Sequence, residues 1–446
     1  MRYTKFSSLL LSVVLLSGLC SISTEAQKKD GKIQLTPTAP STPYSGVRRD
    51  SLLNGLQIIA LDRLTDTSVK VDIIIRAGAK FDLVGKTGLA RLTQETLLAV
   101  NPRLKEELES LQAKIDWGVT WDTTWFHIET AANNFDSVME IFARLVVVEN
   151  IRADAFKRAQ AELLEKIKSD QQSPAERADE SFLKALYGDH PYGHNLDGSE
   201  STVTGIKQGD IYDFMRRFYI ANNVAAVVTG NITLERAMRA FKTFFGGWIK
   251  SQIVPSTFRP PKQIAQLNLV KVEASDITNV EIRGGVVGVK HSDPEFLTTE
   301  VLAKILAARL KKDAEGSARE FTVKASPRVL PGPFFFSAIV PAEQAPAFSR
   351  RATESFAALS TTPVSSDELA AAKSALASEY SARPVEYNLR EIEVYSLPRD
   401  YPLRIAGKID AITVVDVQRV AKKLLDANAL TLVVLGKVNE SFKSNL

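Results

Sequence analysis

Gly85-Lys86-Thr87-Gly88-Leu89-Ala90-Arg91-Leu92-Thr93-Gln94-Glu95-Thr96-Leu97-Leu98 is the stretch whose reading decides the fold. It follows an alternating apolar run, Val69 to Ile75, which reads as a strand. Lys86 to Gly88 make a turn, and Leu89, Leu92, Leu97 and Leu98 form a helical stripe. Arg91, Gln94 and Glu95 stand at i, i+3 and i+4, so one helix face carries all three. Metal donors and a general base on a zinc peptidase helix take that spacing. Here the set is a permanent cation, a neutral amide and one carboxylate.

The surroundings resemble the pitrilysin/insulinase family of zinc metallopeptidases, whose inverted motif is His-x-x-Glu-His after Gly-x-x-Gly-Leu-Ala. Matching Gly85, Gly88, Leu89 and Ala90 puts Arg91 at the first His, Gln94 at the Glu and Glu95 at the second His. The family's third ligand is a Glu on a later helix, seven residues after a supporting Glu. The predicted helix Phe156–Ser169, aligned through Phe156, Ile167 and Pro174, puts Ala159 at the supporter and Lys166 at the ligand. Zinc needs donors with a free lone pair, whereas Arg and Lys only donate protons. A neutral amide at position 94 takes no proton as a base. The resemblance therefore implies no metal, no cofactor and no catalytic residue in this chain. We expect Glu95 to bridge Arg91 and Lys166 in place of zinc.

The same resemblance implies a substrate-binding edge strand and a substrate clamp. Anchoring on Asp122 and Thr124 places Asp116, Trp117 and Val119 at the former substrate-strand positions. Trp117, Trp121 and Trp125 recur every four residues, so in one extended strand they share a face, which favours packing over ligand recognition. The clamp is an Arg and a Tyr seven apart. In Arg309–Ala325, read as helical, Ala314 falls at the Arg and Phe321 at the Tyr, and Ala303–Arg309 lacks the glycines that precede the clamp in the family.

The chain opens with Arg2 and Lys5, an apolar run from Leu9 to Leu19, and Thr24-Glu25-Ala26 as a cleavage site. This reads as a signal peptide, 1–26, because the run is too short to span a membrane. An exported protein, periplasmic or secreted, follows. Cleavage after Ala26 removes Cys20 and with it thiol chemistry, and whether Cys20 is lipidated stays open. The roughly 420 remaining residues suggest two or more domains. With 45% hydrophobic residues, 24% charged and a net charge of +4 without clusters, neither nucleic acid nor stable membrane insertion is indicated.

An internal repeat sets the organisation. Asp210–Thr233 and Asp416–Asn439 align without a gap, sharing Asp, Ala-Asn, Val-Val and Gly in a helix-then-strand pattern. Each half also begins with strands, Leu56–Arg76 and Leu267–Val289, and Asn54-Gly55 signals a hairpin. The expectation is an α+β fold of two tandem related domains, each a mainly antiparallel sheet with helices packed on one face. Its boundaries are an extended Pro/Ser/Thr-rich arm at 27–45, domains at 46–250 and 265–446, and a linker at 251–264.

Other metal sites have little support. His190 and His194 are separated by Pro191 and Gly193, so they read as a loop in which His-Pro-Tyr caps a turn, with a metal as the alternative. His127 and His291 have no partner in sequence. The functional expectation is the silent partner subunit of an exported zinc peptidase that processes or degrades peptides. The alternatives are a stand-alone peptide-binding or scaffold protein and, least supported, an active zinc metalloendopeptidase. Expected partners are a zinc-bearing family member in a hetero-oligomer, a second copy in a homodimer, or peptides.

Overall fold

A computed structural model describes residues 24–29, 32–37 and 43–437, apart from 148–149, 256, 276 and 314–317. The chain divides into two units, residues 1–45 and 46–446. In the first, strands β1 (Thr24–Lys29) and β2 (Lys32–Pro37) pair antiparallel, and the expected cleavage point after Ala26 lies within β1. The apolar run assigned to the signal peptide lies outside the described residues.

The second unit contains two sheets. The first is built from β3 (Val47–Ser51), β4 (Gln57–Asp62), β5 (Ser68–Ile75), β6 (Lys114–Val119), β7 (Thr124–Ala131) and β8 (Val224–Gly230), in the order β3-β4-β8-β5-β7-β6. The second is built from β9 (Asn268–Glu273), β10 (Asn279–Val287), β11 (Glu320–Ala325), β12 (Pro333–Pro341) and β13 (Thr431–Gly436), in the order β9-β13-β10-β12-β11. Without β3 the two orders are the same. β4 runs parallel to β8 and β9 parallel to β13, and the other pairings are antiparallel. Asn54-Gly55 turns β3 into β4, with Gly55 at φ +88° and Asn54 Nδ2 2.8 Å from the Phe245 carbonyl.

The first half carries helices α1 (Leu89–Val100), α2 (Leu104–Ser110), α3 (Phe135–Val146), α4 (Ala153–Asp170), α5 (Pro174–Tyr187), α6 (Glu200–Thr204), α7 (Gln208–Phe218) and α8 (Leu234–Phe245). The second carries α9 (Phe296–Asp313), α10 (Ala345–Thr361), α11 (Ser366–Ala382), α12 (Val385–Tyr395), α13 (Tyr401–Asp410) and α14 (Val414–Leu424). The repeat is real in three dimensions: α7 leads to β8 and α14 to β13, through a short 3-10 turn each time. Both strands are fully buried and end on a glycine at positive φ, Gly230 and Gly436.

The α+β fold of two related sheet-and-helix halves is the expected one, and the structure adds one feature: the halves exchange a helix. The α5 residues Phe182, Leu186 and Tyr187 pack with Val287 and Val433 of the second sheet, and Arg283 pairs with Asp179. In return α12 lies against the first sheet, where Lys70 meets Glu386 at 2.8 Å and Glu393 meets Arg49 at 2.8 Å and Arg76 at 3.1 Å. Apolar residues on the second face of each sheet thereby leave water, and the two halves are held together.

Candidate functional site

The helix α1 starts at a crowded turn. Gly88, at φ +91°, lies so close to Asp197 that a Cβ would sit 2.5 Å from the Asp197 carbonyl. A Cβ on Gly198, also at positive φ, would sit 2.2 Å from the Thr87 carbonyl. The two glycine turns interlock. Asp82 accepts the first helical N–H groups, from Gly88 at 2.7 Å and Ala90 at 2.8 Å, and so supplies the cap that Gly88 cannot.

This arrangement delivers Asp197 to the face carrying Arg91. The Arg91 Nε lies 2.7 Å from Asp197 Oδ1, and the Lys166 Nζ on α4 lies 2.6 Å from Asp197 Oδ2. Lys166 also pairs with Asp170 at 2.5 Å. The expected bridge through Glu95 is therefore corrected: one carboxylate ties α1 to α4, but it belongs to Asp197. Glu95 stands 3.6 Å from Arg91, beyond hydrogen-bonding distance, and accepts a long bond from Trp117 Nε1 at 3.4 Å. The reason is reach. Both cations extend toward the 195–198 turn, where an Asx turn (Asp197 N–H to Asn195 Oδ1, 3.0 Å) presents the carboxylate.

Electrostatics follow the geometry. Burial alone would raise the Asp197 pKa, but Arg91 and Lys166 outweigh it and hold the carboxyl below its usual range. Glu95 goes the other way: burial raises its pKa more than Arg91 and Trp117 lower it. Burial would lower the Lys166 pKa, yet Asp170 and Asp197 raise it overall.

Gln94 is fully buried, and its amide nitrogen donates to the Trp125 carbonyl at 2.9 Å and the Gly118 carbonyl at 3.3 Å. Gly118 and Trp125 are paired across β6 and β7, so Gln94 pins the hairpin to α1. Ala159 is fully buried against the core. Asp116, Trp117 and Val119 lie on β6, the edge strand of the first sheet. The three tryptophans do not share one strand. Trp117 is on β6, Trp125 on β7, and Trp121 in the turn between, because Thr120 accepts the Asp122 and Thr123 N–H groups and folds the chain back. Trp117 is half-exposed rather than core.

The clamp stretch is not one helix: Ala303–Arg309 lie in α9, and Phe321 sits on the edge strand β11 with its ring 6.3 Å from that of Phe348. Ala314 lies outside the described residues. His190 caps the turn as read, accepting the Tyr192 N–H at 3.1 Å. His127 meets Asp72 at 3.1 Å. His291 is buried among Phe296 and Tyr395, neither ring nitrogen is hydrogen-bonded among the described residues, and burial lowers its pKa to about 3.

A zinc ion does not fit this set. Arg91 and Lys166 project protons, the Gln94 nitrogen is spent on carbonyls, and Glu95 is the one carboxylate among the matched positions. Among the described residues no group of three or more His, Cys, Asp or Glu is placed to hold a metal. No helix among them is long and apolar enough to cross a membrane.

Comparison with known proteins agrees with this architecture. Residues 58–200 match the insulinase signature, peptidase family M16, and residues 205–376 match the peptidase M16 inactive domain. The chain belongs to the insulinase (M16) peptidase family. It is 23% identical over 267 residues to the Helicobacter pylori zinc protease PqqE, a match covering 57% of this chain and 60% of that protein. The match thus spans about three fifths of that relative's length. In fold it resembles a peptidase M16 inactive domain from Pseudomonas fluorescens, with TM-score 0.81 and 20% identity over 88% of this chain and 98% of that one. It also resembles the periplasmic protease PqqL from Escherichia coli, with TM-score 0.75 and 15% identity over 90% of this chain and 48% of that one.

Proposed function

We propose that this M16 homologue is catalytically silent and acts as the partner subunit of an exported zinc peptidase that processes or degrades peptides. The observation that carries the reading is the Asp197 carboxylate, which joins Arg91 of α1 to Lys166 of α4. In an active relative those helices would be joined by the metal; here ion pairs make the join, at the degenerate motif positions Arg91, Gln94, Glu95, Ala159 and Lys166. The correspondence with 48% of PqqL supports pairing with a second chain. In this reading residues 1–26 direct export, and the two domains meet at the linker 251–264.

A second reading, a stand-alone peptide-binding scaffold or homodimer, draws on the edge strand β6 with its half-exposed Trp117. An added strand could pair there through main-chain hydrogen bonds. The test is peptide hydrolysis by the purified chain alone and mixed with a co-exported M16 member that has intact His-x-x-Glu-His. No activity alone, and more activity in the mixture than from the partner by itself, supports the silent subunit. No gain on mixing favours the scaffold. Hydrolysis by the lone chain overturns both.

A further inference from the structure

Arg328 is a buried cation with no ion pair among the described residues. It lies in the loop between β11 and β12, is only 5% exposed, and its Nη1 has no hydrogen-bond partner among the described residues. Its guanidinium is stacked on aromatic rings, 3.7 Å from the Trp121 centroid, 4.6 Å from Tyr192 and 5.5 Å from Tyr187. Cation–π contact offsets part of the cost of burial but gives Nη1 no acceptor.

The nearby carboxylate is already spent. Asp122 Oδ1 takes Lys80 Nζ at 2.8 Å and the Tyr192 hydroxyl at 2.8 Å, and Oδ2 takes the Val329 N–H at 3.0 Å. Lys80 and Asp122 cancel, so the buried cluster keeps the charge of Arg328. Such a charge is costly unless an anion joins it.

The backbone around Arg328 is fixed in place. Ser326 N–H donates to the Pro333 carbonyl at 2.9 Å, and Leu330 N–H to the Tyr192 hydroxyl at 3.1 Å. Gly288 N–H donates to the Gly332 carbonyl at 2.7 Å, and a Cβ on Gly332 would sit 2.0 Å from the Ser326 carbonyl. A loop held this firmly loses little entropy when a ligand binds beside it.

Arg328 lines a cavity of about 310 Å³ whose apolar wall is Trp121, Phe182, Leu183 and Phe335. That volume suits a small molecule. Other charges on the lining are largely accounted for: Asp197 and Asp170 by Arg91 and Lys166, and Asp179 by Arg283. Glu176 and Glu180 are exposed, so water screens them.

We propose that this cavity binds a small carboxylate bearing an apolar group, with the carboxylate against the Arg328 guanidinium and the apolar group against Phe182, Leu183 and Phe335. The site does not depend on whether the chain pairs with an active peptidase. A free organic acid and the C-terminus of a short peptide share the required chemistry.

Calorimetric titration of the purified chain with 3-phenylpropionate, its amide 3-phenylpropionamide, and the peptide Ala-Leu-Phe tests it. We expect the acid to bind at least about tenfold more tightly than the amide, since the amide forfeits a charge-assisted hydrogen bond. Arg328→Gln should remove that preference, and Phe335→Ala should weaken acid and amide alike. Tighter binding of Ala-Leu-Phe than of 3-phenylpropionate assigns the site to a chain terminus, and the reverse assigns it to a free acid. Equal affinity for acid and amide, or no binding of either carboxylate, overturns the proposal. This contrast uses the unaltered chain, so it decides even if Arg328→Gln fails to fold.

Discussion

The α1–α4 junction of the first half and the α9–α11 junction of the second occupy equivalent places in two sheets of the same topology, yet they balance charge in opposite ways. In the first, two cations share one carboxylate, and Asp197 is held ionised. In the second, Glu300 on α9 accepts the Tyr380 hydroxyl of α11 at 2.6 Å, and the neighbouring Arg383 stands between Glu300 at 3.9 Å and Glu391 at 3.5 Å. One cation thus serves two buried carboxyls, and burial pushes both up to about 7. The difference teaches that this fold asks only for some polar join between these helices. Excess cation gives a join that tolerates neutral pH; excess carboxyl gives one that favours protonation.

The largest expected effect comes from removing the first junction's anion. Asp197→Ala should cost about 2 kcal/mol in urea unfolding, because Arg91 loses a partly buried charge-assisted bond, while half-exposed Lys166 adds little. Glu95→Ala should cost under about 1 kcal/mol, since its contact with Arg91 is long. Equal losses would restore Glu95 as the bridge. Next, Asp82→Ala should cost about 1 kcal/mol by uncapping α1.

The pH dependence sharpens the contrast. Asp197 has a folded pKa below its unfolded value, so its stabilisation is present above the unfolded pKa and is lost as pH falls through the folded one. Glu300 and Glu391 have folded pKa values near 7, above the unfolded value of 4.5, so stability is lost as pH rises through that window. His291, lowered to about 3, opposes them below pH 6.5, because the folded state refuses a proton that the unfolded state accepts. Glu391→Gln should therefore flatten the decline in stability between pH 5 and 7, by about 1 kcal/mol across the window. Chemical denaturation at several pH values measures it, and an unchanged slope would count against the burial of Glu391.

Much of this was legible in the sequence, and the misses share a cause. Periodicity placed α1, Asn54-Gly55 placed the first hairpin, and the repeat placed two equivalent helix–strand endings, because each signal is local. The non-donor chemistry at Arg91, Gln94 and Lys166 was visible in the residue types alone. Asp197 was missed because its partners lie 106 and 31 residues away. The interlocked Gly88 and Gly198 turns were its only sequence signal, and neither glycine announces the other. The exchange of α5 and α12 was hidden for the same reason: an apolar helix face does not say which sheet it covers. Arg328 was passed over as one more arginine, since only the fold puts Trp121, Tyr187 and Tyr192 around it.

The most direct test of the central claim, that ion pairs through Asp197 stand where a metal would join α1 to α4, is zinc content after equilibration with excess zinc and dialysis, with melting temperature measured with and without chelator. The account predicts far less than one zinc per chain and a melting temperature that chelation leaves unchanged. One tightly held zinc per chain, with destabilisation on chelation, would contradict it.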